Sequence, residues 1–366
     1  MLTLALSLIL GIPLVYWCIH LYRFLTTVTS EQASTPPPVS IIVCAHDEEQ
    51  NLRELIPLLL AQDHPEVEIV LVNDRSNDGT YDLLLGLDAR HPNLKILTVR
   101  SKPEHIPGKK FALTLGIKAA SHEIVLLTDA DCRPGPAWSR TMAACFTPST
   151  DIVLGVSPYA EKEGPLQGFI RYEADLTAVQ YTAMARAGMP YMGVGRNLAY
   201  RKRLFFEGKG FNKHIHVTGG DDDLFVNEHA RADNTRTCLI PAAVVPSKPV
   251  TTWSAFFHQK LRHLSVGKFY RTLHQAILAP WSLSTMFQVP AMVLAATAST
   301  APVALVLLGA LVMRWIVMAF TFHLFSKESG VHRNLLAIPV LDIAYAAYYL
   351  ALAPVALLTR RIQWKN

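Results

Sequence analysis

At 366 residues the chain is long enough for one large domain or two ordinary ones, and its 51% hydrophobic against 17% charged content exceeds a typical soluble protein and points to membrane segments. A net charge of +5 without a long basic stripe argues against nucleic acid as a partner and suits attraction to anionic lipid head groups. Cys18, Cys44, Cys132, Cys145 and Cys238 are odd in number and lack a paired spacing, which suggests neither a disulfide framework nor a zinc site and fits a reduced, cytosol-facing domain.

Leu2 to Leu21 is uncharged and about as long as the ~20 residues that cross a bilayer. Without a basic leader or a small-residue cleavage site, residues 1–25 read as an uncleaved anchor, and Arg23 places the chain beyond it in the cytoplasm by the positive-inside rule. Residues 26–38 form a Ser/Thr/Pro linker stiffened by Pro36-Pro37-Pro38.

From Val39 strand and helix patterns alternate. Strands are expected at Val39 to Cys44, Val67 to Val72, Leu94 to Val99, Glu123 to Leu127 and Asp151 to Val156, with helical spacing over Asn51 to Gln62 and Lys110 to Ala120. Pro57 lies within the first of these helices, as a kink or a later start. Such alternation predicts an α/β domain with a mostly parallel sheet, spanning residues 39–250.

Several strands end in polar chemistry: Ala45-His46-Asp47-Glu48-Glu49, Asn73-Asp74-Arg75-Ser76-Asn77-Asp78-Gly79-Thr80, and Asp129-Ala130-Asp131. Ligands bind at the C-terminal edge of such sheets, and acidic clusters converging there would repel unless a cation and a polar ligand offset them. Asp129 and Asp131 are hard oxygen donors suited to Mg²⁺ or Mn²⁺ on a phosphorylated substrate; the alternative is a surface turn before Pro134-Gly135-Pro136. Gly108-Lys109-Lys110 opens a helix whose amides and ammonium groups can face a diphosphate, or else it is a solvated basic turn. Asp78 or Ser76 can simply cap the helix at Thr80.

Gly193-Val194-Gly195-Arg196-Asn197 lets the backbone approach a ligand. Among Asp221-Asp222-Asp223 one carboxylate can take a proton from an attacking hydroxyl, unless the run is a second metal loop or a capped helix start. Residues 251–282, rich in aromatics and bases, suit helices lying in the membrane interface; Gln259 and Arg262 would share a face, with His263 beside them.

Residues 283–358 hold three apolar helices, Leu283 to Ser299, Pro302 to Phe325 and Leu335 to Leu358. Arg314 and Asp342 fall inside them and either pair between adjacent helices or reach water separately. Three crossings would leave the basic tail, residues 359–366 with Arg360, Arg361 and Lys365, on the far side, against the positive-inside rule.

Taken together, the segments from Pro38 to Glu49 and Val72 to Thr80, with Gly108-Lys109, Asp129-Ala130-Asp131, Gly220 to Asp223 and Gln259-x-x-Arg262-His263, resemble the membrane-bound family 2 glycosyltransferases in order and spacing. The resemblance covers roughly residues 38–271. It implies a GT-A fold, a nucleotide-sugar donor and inversion at the anomeric carbon. Ala45, Glu48, Asp74, Lys109 and Asp129 are then expected around the donor, Glu48 and Asp74 at the nucleoside and Lys109 at the diphosphate. Asp129 and Asp131 are expected to hold Mg²⁺ or Mn²⁺. The family's Glu-Asp catalytic pair maps onto the three-Asp run, with Asp222 the expected base and Asp221 the close alternative. Gln259, Arg262 and His263 would meet the acceptor.

His263 stands where processive members and ceramide glucosyltransferases usually carry Trp. Its smaller ring favours single transfer to a lipid or lipid-linked acceptor over processive polymerisation. The expected protein is an integral-membrane enzyme, in a bacterial inner membrane with its catalytic domain in the cytoplasm. A polysaccharide synthase is the alternative within the class, and a non-catalytic nucleotide-sugar-binding membrane scaffold the alternative outside it.

Overall fold

The computed structural model describes residues 1–27, 33 and 35–358; the basic tail and part of the linker lie outside the described residues. In chain order the helices are α1 (Leu2–Thr26), α2 (Glu49–Leu60), α3 (Thr80–Leu84), α4 (Gly108–Ala119), α5 (Trp138–Ala144), α6 (Pro165–Arg186), α7 (Lys202–Glu207), α8 (Asp223–His229), α9 (Trp253–Val266), α10 (Thr272–Ala298), α11 (Ala301–Ser329) and α12 (Ile338–Leu358). The strands are β1 (Val39–Ala45), β2 (Val67–Asp74), β3 (Leu94–Val99), β4 (Ile124–Leu127), β5 (Ile152–Leu154), β6 (Leu198–Arg201) and β7 (Thr235–Thr237).

The described residues form two units. One is α/β and comprises residues 33, 35–161 and 188–249. Its seven-stranded sheet runs β3-β2-β1-β4-β6-β5-β7. β1 to β4 are parallel, whereas β6 lies antiparallel to both β4 and β5. Val39, Ile41 and Val43 of β1 pack with Leu52, Leu55 and Leu59 of α2 and with Trp138 and Met142 of α5. On the other face Gly116 lets α4 approach β1 closely, since a Cβ there would meet Ile42 Cγ2 at 2.7 Å. Burial on both faces explains the aliphatic runs without alternation.

α2 continues through Pro57, where the carbonyl deprived of its partner belongs to exposed Arg53 and reaches water. β6 and β7, only four and three residues long, carry too little periodicity to be read from sequence.

The other unit is helical: residues 1–27, 162–187 and 250–358. The expected continuous domain 39–250 is therefore interrupted by α6. The charges on α6 explain this, because each finds its partner in the helical unit: Glu173 pairs with Lys260, Asp175 with Arg333 and Arg186 with Glu328. Among the described residues, four segments are long and apolar enough to cross a membrane: Leu2–Thr26, Thr272–Ala298, Ala301–Ser329 and Leu335–Leu358. α10 begins well before Leu283, taking in residues expected to lie in the interface, and Pro280 and Pro290 do not break it.

Of the two alternatives for Arg314 and Asp342, pairing is the one present. Asp342 Oδ2 accepts from the Arg314 guanidinium, from Trp315 Nε1 at 2.9 Å and from Gln288 Nε2 at 3.1 Å, while Arg314 Nη1 donates to Gln288 Oε1 at 2.8 Å. Four side chains from α10, α11 and α12 thus bond to one another within the apolar helices.

Candidate functional site

The loops after β1 and β2 are laced together. Asp47 N–H donates to Ser76 Oγ, Asn77 N–H to Asp47 Oδ1, Glu48 N–H to Thr80 Oγ1 and Glu49 N–H to Asp78 Oδ2. Asp78 Oδ1 also accepts from Thr80 N–H, the first amide of α3, at 2.9 Å, although the N-cap itself is Gly79 and has no side-chain cap. Much of this polar cluster therefore builds the loops, leaving the Glu48 and Asp74 carboxylates for other work. Glu48 Oε2 accepts from Asn51 Nδ2 at 2.6 Å. Asp74 is buried and takes a two-pronged hydrogen bond from Arg75, Nε to Oδ1 at 2.8 Å and Nη2 to Oδ2 at 3.1 Å. Arg75 adopts a left-handed backbone (φ 56°) to make it. Ala45, buried, ends β1.

α4 starts against this pair. A Cβ at Gly108 would meet Asp74 Oδ2 at 2.6 Å, so glycine is required for the helix N-terminus, with its unpaired amides, to sit there. Lys109 projects its ammonium between two carboxylates, 3.0 Å from Asp129 Oδ1 and 3.2 Å from Asp221 Oδ2. Burial alone would discharge it; Asp129 and Asp221 instead hold its pKa well above the usual lysine value. Asp221 in turn is buried, and despite that burial the two lysines keep its carboxyl below the usual range.

β4 delivers Asp129 and Asp131, its end tied by Thr128 Oγ1 donating to Arg196 O at 3.0 Å. Burial and the neighbouring Asp129 push the Asp131 carboxyl up to about 6, and Arg196 opposes the rise. Arg196, to which sequence reasoning assigns no role, lies over the Tyr159 ring at 4.4 Å and donates to Ser247 Oγ at 2.6 Å. Its only signal was membership of the glycine segment. The crowding of Asp129 and Asp131 is what a divalent cation would relieve, and two hard carboxylates suit Mg²⁺ or Mn²⁺. Among the described residues no group of three or more His, Cys, Asp or Glu side chains is placed to hold a metal. Further ligands would have to come from water or substrate oxygens.

Asp222 caps α8, with Oδ1 accepting from Asp223 N–H at 2.8 Å and Oδ2 from Gly195 N–H at 2.7 Å. A capped helix start is present, with the cap at Asp222 rather than Asp221, and it leaves the half-buried Asp222 carboxylate oriented by two amides. Gln259, Arg262 and His263 lie on α9 in the helical unit: Gln259 and Arg262 are half-buried, His263 exposed.

A strand-edge cluster of carboxylates around one lysine thus sits on a mixed, mostly parallel seven-stranded α/β sheet. Residues 40–205 match the family model described as glycosyl transferase family 2, and residues 124–325, more than half of the chain, match that of glycosyl transferase family group 2. The chain belongs to the family 2 glycosyltransferases and has the GT-A fold. It is 25% identical over 244 residues to the probable glycosyltransferase YdaM of Bacillus subtilis, covering 62% of this chain and 54% of that protein. It is 26% identical over 197 residues to glycosyltransferase AglE of Haloferax volcanii, covering 51% and 60%. The chain therefore spans little more than half the length of these curated relatives. Mannosyltransferase PcManGT of Pyrobaculum calidifontis, solved in complex with GDP-Man and Mn²⁺, shares the fold over 98% of both chains with a TM-score of 0.64 at 20% identity.

Proposed function

We propose that this glycosyltransferase is a metal-dependent, inverting hexosyltransferase of a bacterial inner membrane. It transfers one sugar from a nucleoside-diphosphate donor at the cytoplasmic face to a lipid or lipid-linked acceptor. The observation that carries this reading is Lys109 held between Asp129 and Asp221, with Asp222 oriented on the next residue.

In this reading Glu48 and the Asp74–Arg75 pair face the nucleoside. Lys109 and the α4 N-terminus meet the diphosphate, offsetting the charge that grows as it departs. Asp222 accepts the proton of the acceptor hydroxyl, whose oxygen attacks the anomeric carbon from the face opposite the diphosphate, inverting it. A base so placed contributes ~10²- to 10⁴-fold. Asp221, engaged with Lys109, is less suited to that task than Asp222. Asp129 and Asp131 would hold Mg²⁺ or Mn²⁺, which when bound neutralises diphosphate charge. Gln259, Arg262 and His263 are assigned to the acceptor, and exposed His263 in place of a flat indole favours single transfer over polymerisation.

The similarity to a structure solved with GDP-Man puts guanosine donors beside uridine donors in the test. Full-length protein in lipid nanodiscs is assayed with radiolabelled UDP- and GDP-sugars, a bacterial lipid extract and Mn²⁺ or Mg²⁺. Transfer of a single labelled sugar is expected. Neither transfer nor donor hydrolysis with any donor would leave a non-catalytic scaffold as the better reading, and long products would make it a polysaccharide synthase.

A further inference from the structure

The two adjacent lysines at the start of α4 point to different places. Lys109 reaches the carboxylates, whereas the Lys110 side chain is only 1% exposed and reaches the loop before Asp221. Lys110 Nζ donates to His214 O at 2.5 Å and to Val217 O at 2.9 Å, lies 3.5 Å from His214 Nδ1 and sits 5.9 Å from the Phe211 ring centroid. His214 O also accepts from Val217 N–H at 3.1 Å, so the ammonium locks a turn already closed by the backbone.

Beyond that turn two glycines lead to Asp221, which Lys109 holds, and to Asp222, which accepts from Gly195 N–H. Gly219 (φ 91°) and Gly220 (φ 69°) both take left-handed conformations, and a Cβ at Gly220 would meet Leu224 Cδ1 at 2.6 Å. These glycines lead directly into Asp221, Asp222 and Asp223. A buried ammonium is costly, and burial pulls the Lys110 pKa down to about 8 against the attraction of those three carboxylates. Lysine therefore occupies a position that an apolar side chain would fill more cheaply, if filling were all that mattered.

We propose that Lys110 is a positioning residue: by clasping the His214 and Val217 carbonyls it sets the course of the Gly219-Gly220 turn and hence the place of the Asp222 carboxylate. One helical turn then aligns both halves of the site, Lys109 for the donor and Lys110 for the base. The inference rests on the reading of Asp222 as base. Displacement of a reacting group by about 1 Å costs up to ~10²-fold in rate, which sets the scale of the effect.

The test uses full-length protein in nanodiscs, with the UDP- or GDP-sugar that wild type turns over fastest. Lys110→Met is expected to lower kcat ~10- to 100-fold with donor KM held within about twofold, and to speed hydrogen exchange of residues 214–222 but not of β4. Lys110→Gln, which keeps one donor and guards against misfolding, is expected to fall between. A wild-type kcat in Lys110→Met, or parallel losses of kcat, UDP or GDP binding and thermal stability, overturns the proposal. Full activity in Asp222→Asn would instead overturn the assignment of the base, while the exchange of residues 214–222 still decides whether Lys110 holds the loop.

Discussion

Lys109 Nζ lies 3.2 Å from Asp221 Oδ2, joining the helix that comes after β3 to the loop that precedes α8. With Asp129 on its other side, this one ammonium neutralises carboxylates from two separate stretches of chain. Lys109→Met leaves them facing each other uncompensated. It also removes the cation assigned to the departing diphosphate, so a loss of ~10²- to 10³-fold in kcat/KM for the donor is expected, read from initial rates across donor concentrations.

Asp222 and Asp221 should separate kinetically. Asp222→Asn retains the cap on α8 through its side-chain oxygen but cannot take a proton, so kcat falls ~10²- to 10⁴-fold with UDP or GDP binding preserved in calorimetry. Asp221→Asn removes one of the two carboxylates that hold Lys109 and should raise donor KM. The opposite pattern would exchange their roles.

Chelation offers a third test. EDTA should abolish transfer, and Mn²⁺ should restore it. Mn²⁺ binding in the presence of UDP or GDP, monitored by electron paramagnetic resonance, should weaken at least ~10-fold in Asp131→Asn, since two carboxylates are the only protein ligands assigned. Unchanged binding would move the metal elsewhere.

Acid stability should report on Glu68. Its buried carboxylate accepts from Ser40 Oγ at 2.5 Å and Ser121 N–H at 2.7 Å and pairs with Lys95 at 2.5 Å. Burial raises its pKa, but these partners prevail and bring it from 4.5 down to about 2. The folded state thus binds the proton less readily than the unfolded one. The stabilisation is complete above pH 4.5 and is lost as pH falls toward 2. Thermal unfolding of Glu68→Gln in detergent should show a loss of ~1–3 kcal/mol at neutral pH and a flatter decline below it.

The membrane helices carry their own test. Arg314→Met or Asp342→Leu alone strands a buried charge and should destabilise by ~3–5 kcal/mol, whereas the double substitution should recover much of the loss. Thermal unfolding in detergent of the three variants measures this. A double variant no better than the worse single one would show that Gln288 and Trp315 already satisfy each charge separately.

The order of amino acids alone accounts for strands β1 to β5, the polar residues at their ends and the apolar spans. The reasons are local: a strand buried on both faces must be aliphatic, a parallel strand carries its polar chemistry at its C-terminal end, and a bilayer demands long uncharged helices. Partner choice is not local, and there tertiary structure decided. Asp47, Ser76, Asp78 and Thr80 stand in the polar segments at the strand ends, and folding uses them to lace two loops together. Lys109 and Lys110 are chemically identical neighbours, yet one faces carboxylates and the other backbone carbonyls, because successive residues of a helix point about 100° apart. α6 reads as part of the α/β domain until Lys260, Arg333 and Glu328 supply the opposite charges that Glu173, Asp175 and Arg186 require. A charge is inexpensive in water and costly in a protein interior, so its meaning depends on which distant residue folding brings against it.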